Sequence, residues 1–371
     1  MRLSRRDRSL LSEWWFTIDR LMLGAILIII CTGLFVSLAA SPPIALKNDL
    51  EAFYFFKRHM LFFLPTLLLL FVISLLSPKQ MRRLCLIIFV FGLLLMGGIL
   101  IFGQEVNGAK RWLQWGSFSL QPSEFVKTAF IVVSAWFFTQ KDLRPDMPAT
   151  PFVITGYLVF IALLVLQPDI GQAFLVTLVW MGLFFISGLQ WRWVGLFSGL
   201  MCSAFVLAYV ALPHVKIRID RFLNPESGEN YQIQRALQSF REGGFWGVGP
   251  GEGKLKHILP DAHTDFIYAV IAEEYGIIAC IMLLSVFAFI VLRGLINAAS
   301  ERDLFNRFAI SGLIILLGLQ CIINISVNVG LLPAKGMTLP FISYGGSSLM
   351  ATALAMGMVL GLTRKRPETY I

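Results

Sequence analysis

The chain has 371 residues, of which 57% are hydrophobic and only 14% are charged. Soluble proteins carry about 25% charged residues, so this composition excludes an ordinary water-soluble globule. The net charge of +9 would suit either a nucleic acid or a membrane surface. Because the charges lie between long apolar runs, they favour the membrane and give no reason to expect a nucleic-acid partner.

Ten apolar runs are long enough, or nearly so, to cross about 30 Å of hydrocarbon as α-helices. We therefore predict an all-α polytopic membrane protein with about ten transmembrane helices in a membrane domain of residues 21–363. Pro168 separates the fifth and sixth runs and cannot continue a helix, which favours a tight hairpin. The alternative is nine spans with a helix broken at that point. The runs cover 21–40, 58–76, 83–102, 123–138, 151–167, 169–187, 192–212, 266–293, 308–331 and 341–363.

The orientation follows from the basic residues between the runs. Most Lys and Arg residues fall on one side of the membrane when the N-terminus is placed in the cytoplasm, as the positive-inside rule requires. We predict that both termini are cytoplasmic, with an N-terminal segment of residues 1–20 and a tail of residues 364–371. No cleavable signal peptide is evident. The five cysteines fall inside predicted spans, which is typical of buried apolar residues.

One large loop, residues 214–265, is predicted on the outer side. A segment of this size is too small to fold alone, so we expect it to pack on the helix bundle. Ile233, Leu237 and Phe240 recur at helical spacing and predict a short helix lying on the membrane surface. A glycine-rich run at residues 247–254 lacks the spacing of a phosphate-binding loop and is interpreted as a hinge.

Asp265 lies where this loop meets the eighth apolar run. Pro260 and Asp261 are typical of a helix start, and a helix N-terminus favours an ionised carboxylate. Asp265 could accept a proton from a sugar hydroxyl or hold a divalent cation, or it could simply cap the helix. Glu273 and Glu274 follow on the same helix, where a carboxylate is either functional or paired with a basic side chain.

Two further polar groups lie inside apolar runs. Glu124 and Lys127 are spaced for an intrahelical ion pair, which either has a structural role or lines a polar cavity. Gln320, Asn324 and Asn328 form a polar stripe on the ninth run. Interhelical hydrogen bonds explain such a stripe adequately, and a substrate channel is the alternative.

Candidate anion-binding groups follow in the predicted outer segments. Lys110 and Arg111 stand beside Trp112, a combination that suits either a pyrophosphate at headgroup level or interfacial anchoring. Lys335 precedes a glycine- and serine-rich run at residues 343–348, which either lets helices approach closely or exposes N–H groups to an anion.

Five ordered motifs give the chain a resemblance to the SEDS family (shape, elongation, division and sporulation) over nearly its whole length. Residues 330–340 resemble the division-type members, whereas Asp261 is a mild departure because many members carry Glu there. The motifs are Asn107-Gly-Ala-Lys-Arg-Trp-Leu113, Gln121-Pro-Ser-Glu124, Leu166-Gln-Pro-Asp-Ile-Gly171, His263-Thr-Asp-Phe266 and Ser343-Tyr-Gly-Gly-Ser-Ser348.

The resemblance implies a peptidoglycan glycosyltransferase that acts on lipid II at the outer leaflet of the cytoplasmic (inner) membrane at the division septum. It implies a class B penicillin-binding protein and other divisome proteins as partners, and Asp265 matches the family's essential acidic residue. No cofactor is certain, and a divalent cation is possible. The alternatives are a lipid II flippase and a non-catalytic scaffold. The predicted substrate-binding residues are Lys110, Arg111, Lys335, Glu124, Lys127, His263, Ser343 and Ser347.

Overall fold

The computed structural model describes residues 9–105, 108–116, 118–144, 146–188, 231–333 and 336–365, together with isolated positions between 195 and 220. These parts of the chain are mostly helical, as predicted. They also contain a short antiparallel hairpin that the sequence analysis did not predict, in which Leu113 pairs with Leu120. Its strands are Leu113–Trp115 (β1) and Phe118–Leu120 (β2).

Eleven α-helices lie in the described residues: Leu10–Thr17 (α1), Arg20–Lys47 (α2), Tyr54–Leu75 (α3), Pro78–Phe102 (α4), Pro122–Leu143 (α5), Ala149–Leu166 (α6), Ile170–Ile186 (α7), Tyr231–Gly243 (α8), Ile267–Ser300 (α9), Leu304–Asn328 (α10) and Gly346–Leu362 (α11). Six of them are long and apolar enough to cross a membrane: α2, α3, α4, α6, α9 and α10. Two more, α7 and α11, are shorter apolar helices.

Several helices begin at short polar residues. The side chains of Asp19, Ser77, Asp169 and Asp303 each accept a hydrogen bond from the backbone N–H three residues later. Such caps satisfy N–H groups that have no partner within the helix. The caps therefore set the starts of α2, α4, α7 and α10.

The predicted hairpin at Pro168 is confirmed. The Tyr157 hydroxyl lies 2.8 Å from the Thr177 hydroxyl, and the Tyr157 ring stacks on Trp180 at 4.1 Å. These contacts join residues at similar distances before and after Pro168, so α6 and α7 run antiparallel as separate helices. The predicted seventh span, residues 192–212, falls mostly outside the described residues.

Two helices form the centre of the bundle. α11 is buried along almost its whole length, and α10 is largely buried. Glycines let neighbouring helices approach α11: a Cβ on Gly357 would lie 2.9 Å from the Leu70 carbonyl oxygen of α3. Close approach through small residues is the usual packing of membrane helices. α3, α4 and α6 lie at the periphery, with less than a third of each apolar segment buried.

The bundle has two distinct ends. At the terminal end, defined by residues 9–19 and 363–365, the Asp19 carboxylate pairs with Arg293 at 2.7 Å. The Thr17 carbonyl there accepts a hydrogen bond from the Lys365 N–H at 3.1 Å. The opposite end, called the loop end, carries the described residues 103–105, 108–116, 118–121, 167–169, 231–266, 329–333 and 336–345. Both described ends of the chain therefore lie on the same side of the bundle.

α9 is broken at Gly276, whose φ of 76° is non-helical. The Tyr268 hydroxyl donates to the Cys280 carbonyl at 3.1 Å, although residues twelve apart in a straight helix are separated by about 18 Å. The segment before Gly276 therefore folds back along the segment after it. The span predicted at 266–293 is therefore interrupted at residue 276. The interruption falls at a glycine because only glycine adopts this backbone conformation readily.

The short helix predicted in the large loop is confirmed as α8, whereas its position on the membrane surface stays a prediction. Its small residues Ala236, Ser239 and Gly243 are buried, with Gly243 against the Ala272 carbonyl of α9. Ile233 and Leu237 of the predicted apolar side pack near Gly330. α8 is thus attached to the bundle on both sides.

Candidate functional site at the loop end

Asp265 is partly exposed and lies directly before α9. The helix N-cap is Phe266, so α9 begins later than Pro260 and Asp261 suggest. Asp261 instead forms a turn with a φ of 54°, and its carbonyl accepts hydrogen bonds from the N–H groups of Thr264 and Phe266. Asp265 therefore precedes the N-cap of α9 and does not cap this helix.

The polar stripe of α10 holds the backbone at Asp265. The side-chain amides of Asn324 and Asn328 each donate to the Asp265 carbonyl at 2.9 Å. Asn324 also donates to the Met337 carbonyl at 2.7 Å. The hydrogen bonding predicted for this stripe is confirmed. Its partners are the backbone of Asp265 itself and the backbone of Met337 in the segment before α11.

The segment before α11 lies against the same loop. A Cβ on Gly336 would lie 3.8 Å from Asp265 Oδ2. The Ser343 hydroxyl donates to the Thr264 carbonyl at 2.5 Å and accepts from the Leu339 N–H at 2.8 Å. Gly336 thus places the described segment that begins with it beside Asp265, whereas Lys335 lies outside the described residues.

Ser347 is also engaged in backbone hydrogen bonds. Its hydroxyl accepts from the Gln121 N–H at 3.0 Å and donates to the Ser119 carbonyl at 3.2 Å. Ser343 and Ser347 thus connect the start of α11 to two different loops. Their predicted contact with substrate stays a prediction.

His263 belongs to an aromatic cluster next to Asp265. Its ring centre lies 4.5 Å from that of Phe55 and 5.5 Å from that of Tyr344. Burial lowers the pKa of His263 to about 4, and its Nδ1 has no hydrogen-bond partner among the residues that the structure describes. His263 is therefore neutral at physiological pH.

Glu124 and Lys127 form a buried pair, with 2.7 Å between Lys127 Nζ and Glu124 Oε2. Lys127 also donates to Gln172 at 3.3 Å and Gln320 at 3.1 Å, and Gln172 donates to Glu124 at 2.6 Å.

Both Lys127 and Gln320 line a cavity of about 10 Å³, enough for about one water molecule. Gln320 donates to the Thr338 carbonyl at 3.1 Å, next to Met337, which links this pair to the Asp265 segment.

Arg111 ties the loop after α4 to the α6–α7 hairpin. Its guanidinium donates to the carbonyls of Gln167 and Pro168, and it lies 3.9 Å from the Asp169 carboxylate. Lys110 is half-buried and forms no ion pair with the described residues. Of the adjacent cations Lys110 and Arg111, Lys110 is thus the one without a charged partner in the part of the chain that the structure describes.

Glu273 and Glu274 have paired roles at the Gly276 turn. Glu273 accepts the N–H groups of Leu255 and Lys256 at 2.7 and 3.2 Å, and the Lys256 ammonium contacts Glu274. The nearby glycine run, predicted as a hinge, is instead fixed by the hydrogen bond of Val248 N–H to the Glu273 carbonyl at 2.9 Å.

Sequence reasoning missed two members of these networks, Gln172 and Lys256. The signal for Gln172 was a polar residue on an apolar helix, one turn from the capping residue Asp169. Lys256 had no such signal, because it is one of several basic residues in the large loop. Among the described residues, no group of three His, Cys, Asp or Glu side chains could hold a metal.

These features define a multi-pass helical membrane protein with ionisable side chains gathered near one end of its bundle. Buried ionisable groups in such helices are costly and mark functional or paired sites. A model of the FtsW/RodA/SpoVE family of cell cycle proteins matches residues 19–368, so the chain belongs to this family.

Similar proteins extend over nearly the whole chain. It is 41% identical over 368 residues to the probable peptidoglycan glycosyltransferase FtsW of Caulobacter vibrioides, covering 99% of this chain and 94% of that protein. The identity is 37% to the protein of the same name from Coxiella burnetii, covering 90% and 94%.

Solved structures of similar fold include a chain in a peptidoglycan synthase complex that coordinates polymerization and crosslinking. That match has a TM-score of 0.78, 28% identity, and covers 93% of this chain and 97% of that one. The rod shape determining protein RodA of Thermus thermophilus matches with a TM-score of 0.70, 26% identity, and covers 95% and 99%.

Proposed function

We propose that this chain polymerises lipid II into glycan strands, using Asp265 at the loop end of the bundle. Its class is peptidoglycan glycosyltransferase, the activity in the names of the Caulobacter vibrioides and Coxiella burnetii relatives, which cover 99% and 90% of this chain. The observation that carries the site is the convergence on Asp265 of the α10 asparagines, Gly336 and the Thr264–Ser343 contact.

The reaction requires one displacement at the anomeric carbon. A sugar hydroxyl attacks this carbon, the bond to the lipid pyrophosphate breaks, and an α-linked donor gives a β-1,4 linkage. The displaced group is undecaprenyl pyrophosphate, and the hydroxyl proton passes to a base. Asp265 acts as this base or as the carboxylate that orients the hydroxyl.

Pyrophosphate is a good leaving group and needs positive charge more than a proton donor. Lys110, Arg111 and Lys335 are proposed to hold it or the adjoining sugar. Lys110 is supported by its lack of an ion pair among the described residues. A divalent cation, if bound, would neutralise pyrophosphate, with Asp265 as a protein ligand.

The remaining proposed contacts line the approach to Asp265. His263 and Ser343 lie in the two segments beside Asp265. The Glu124–Lys127 pair lies on α5, and Ser347 lies at the start of α11. Because the pair is buried and neutralised, its proposed role is to maintain a polar cavity rather than to exchange protons.

The proposed topology follows the charge distribution. The membrane domain is residues 21–363 with about ten spans, and residues 1–20 and 364–371 are cytoplasmic. The large loop at 214–265 packs on the outer side of the bundle, which brings the loop end to the outer leaflet of the inner membrane.

The proposed partner is a class B penicillin-binding protein that crosslinks the new strands at the division septum with other divisome proteins. Support for this comes from the structural similarity to a chain of a peptidoglycan synthase complex. Lipid II is the proposed substrate because its pyrophosphate and sugar match the cations and carboxylate at the loop end.

The test compares Asp265→Asn with Asp261→Asn, a matched change at an exposed carboxylate four residues away. Each purified protein is assembled with its penicillin-binding partner and given fluorescent lipid II. We expect Asp265→Asn to lose glycan polymerisation while it still binds the partner, and Asp261→Asn to retain activity. Unchanged polymerisation by Asp265→Asn would refute the site.

The two alternative functions predict different results in the same material. A flippase would move lipid II across sealed vesicles without forming polymer. A scaffold would bind the partner and show neither activity in the wild-type protein. Either result would contradict the proposed glycosyltransferase.

A further inference from the structure

Asn328 stands between two backbone groups that a regular helix would join. In an α-helix the carbonyl of residue i accepts from the N–H of residue i+4, the spacing of Asp265 and Ala269. Here the Asn328 amide donates to the Asp265 carbonyl at 2.9 Å, and its Oδ1 accepts from the Ala269 N–H at 3.1 Å. The Ala269 N–H also donates to the Phe266 carbonyl at 3.1 Å, so the Asn328 side chain takes the place of the one bond that would extend α9 back to Asp265.

Asn324 strengthens this arrangement from one turn earlier on α10. Its amide donates to both the Asp265 and Met337 carbonyls, at 2.9 and 2.7 Å. The Asp265 carbonyl therefore accepts two side-chain donors. The same contacts fix residue 337, next to Gly336, where an added Cβ would lie 3.8 Å from Asp265 Oδ2.

Both asparagines are almost fully buried, at 1% and 0% exposure. A buried carboxamide costs free energy unless its donors and acceptor are satisfied. Here they are satisfied: Asn328 also donates to the Asn324 carbonyl at 2.9 Å. Such a saturated pair is rigid, which suits the positioning of a neighbouring group.

We propose that Asn328, supported by Asn324, is a positioning residue that stops α9 short of Asp265 and so sets the direction of its carboxylate. If α9 continued through Asp265, helical backbone angles would turn that carboxylate about the helix axis, away from Gly336. This inference rests on the proposed function of Asp265 as the reactive carboxylate.

The test is Asn328→Leu, which removes the inserted amide and lets the Asp265 carbonyl pair with the Ala269 N–H. Turnover of lipid II is measured in the complex with the penicillin-binding partner. We expect kcat to fall about 100-fold, the order that a misplacement of about 1 Å produces, with little change in KM. Asn328→Gln keeps both donor and acceptor and should recover part of kcat.

Asn306→Ala is the matched control, because Asn306 lies on the same helix at its opposite end. Its kcat and KM should remain those of the wild type. If Asn328→Leu does not fold, Asn328→Ser takes its place, because a hydroxyl is too short to bridge both backbone groups. The same selective loss of kcat is expected.

Wild-type kcat in the folded Asn328 variant, beside an inactive Asp265→Asn, would overturn this inference and leave the proposed function standing. A parallel loss of kcat and lipid II affinity, unrelieved by Asn328→Gln, would also overturn it, since that indicates general damage. An active Asp265→Asn would instead remove the proposed function itself.

Discussion

At the scale of single residues, the loop end is organised by side chains whose partners are distant in sequence. Asp265 was a candidate because it stands where a polar loop meets an apolar run and because it matches the essential acid of the family that the motifs resemble. The surroundings of Asp265 could not be predicted, because its contacts with Asn328 and Gly336 depend on how α10 and the following segment fold. The role of Glu274 was likewise undecided until Lys256 was placed beside it.

The Lys256–Glu274 pair should stabilise the loop at the Gly276 turn. Both side chains are at most 4% exposed, so Lys256→Met leaves a buried carboxylate without its cation. We expect a loss of about 3–5 kcal/mol, seen as a lower melting temperature in detergent.

Two controls separate this effect from simple removal of a charge. Lys256→Met combined with Glu274→Gln should regain most of the lost stability. Lys57→Met breaks an exposed pair with Glu51 and should cost less than about 1 kcal/mol. Equal melting temperatures for Lys256→Met and Lys57→Met would show that the buried pair is unimportant.

His263 should make stability depend on pH. Its pKa is lowered from 6.5 to about 4 by burial, so the unfolded chain binds a proton in this interval while the folded protein does not. Stability is therefore complete above pH 6.5 and falls as the pH is lowered towards 4.

Melting temperatures across this interval test the effect. His263→Phe keeps the aromatic contacts with Phe55 and Tyr344 but cannot titrate, so its stability should fall less steeply with acid. A slope as steep as that of the wild type would assign the pH dependence to other groups.

At the scale of elements, hydrophobicity located the helices well, because the apolar runs and polar caps are local properties of the sequence. The break in α9 escaped prediction because Gly276 lies inside a continuous apolar run. What breaks the helix is tertiary: the Phe245 carbonyl approaches within 2.3 Å of the position that a Cβ on Gly276 would take. Hydrophobicity along the sequence does not reveal such a close contact between Gly276 and the Phe245 carbonyl.

Gly276→Ala should therefore be strongly destabilising. Its φ of 76° is unfavourable for a residue with a Cβ, and that Cβ would collide with the Phe245 carbonyl. We expect a loss of about 2–4 kcal/mol, measured as a lower melting temperature.

Gly98→Ala in α4 is the control, since nothing lies within 4 Å of its Cβ position. Alanine there should be neutral or slightly stabilising, because it favours the helix. If the two alanine variants melted alike, the turn at Gly276 would not be required for the fold.

At the scale of the whole molecule, the first and last described residues lie at one end of the bundle and the candidate site lies at the other. The distribution of basic residues predicted this separation, and the contacts of Asp19 with Arg293 and of Thr17 with Lys365 agree with it. The sequence could not show how the loop folds back on the bundle, because that packing uses glycines and backbone groups.

The two ends should be accessible from opposite sides of the membrane. In a background without the five native cysteines, Glu252→Cys at the loop end should react with a membrane-impermeant maleimide added to intact spheroplasts. Arg302→Cys, in the exposed connection between α9 and α10, should react only after permeabilisation. The reverse pattern would put Asp265 on the cytoplasmic side and contradict the proposed substrate.

The most direct measurement of the central claim is the rate of glycan polymerisation by the Asp265→Asn complex over a range of lipid II concentrations. The replacement keeps the size of the side chain but removes the charge that accepts or orients the hydroxyl. We expect kcat to fall by about 100-fold or more with KM nearly unchanged, as for a group that acts in the transition state. A wild-type kcat would contradict the account.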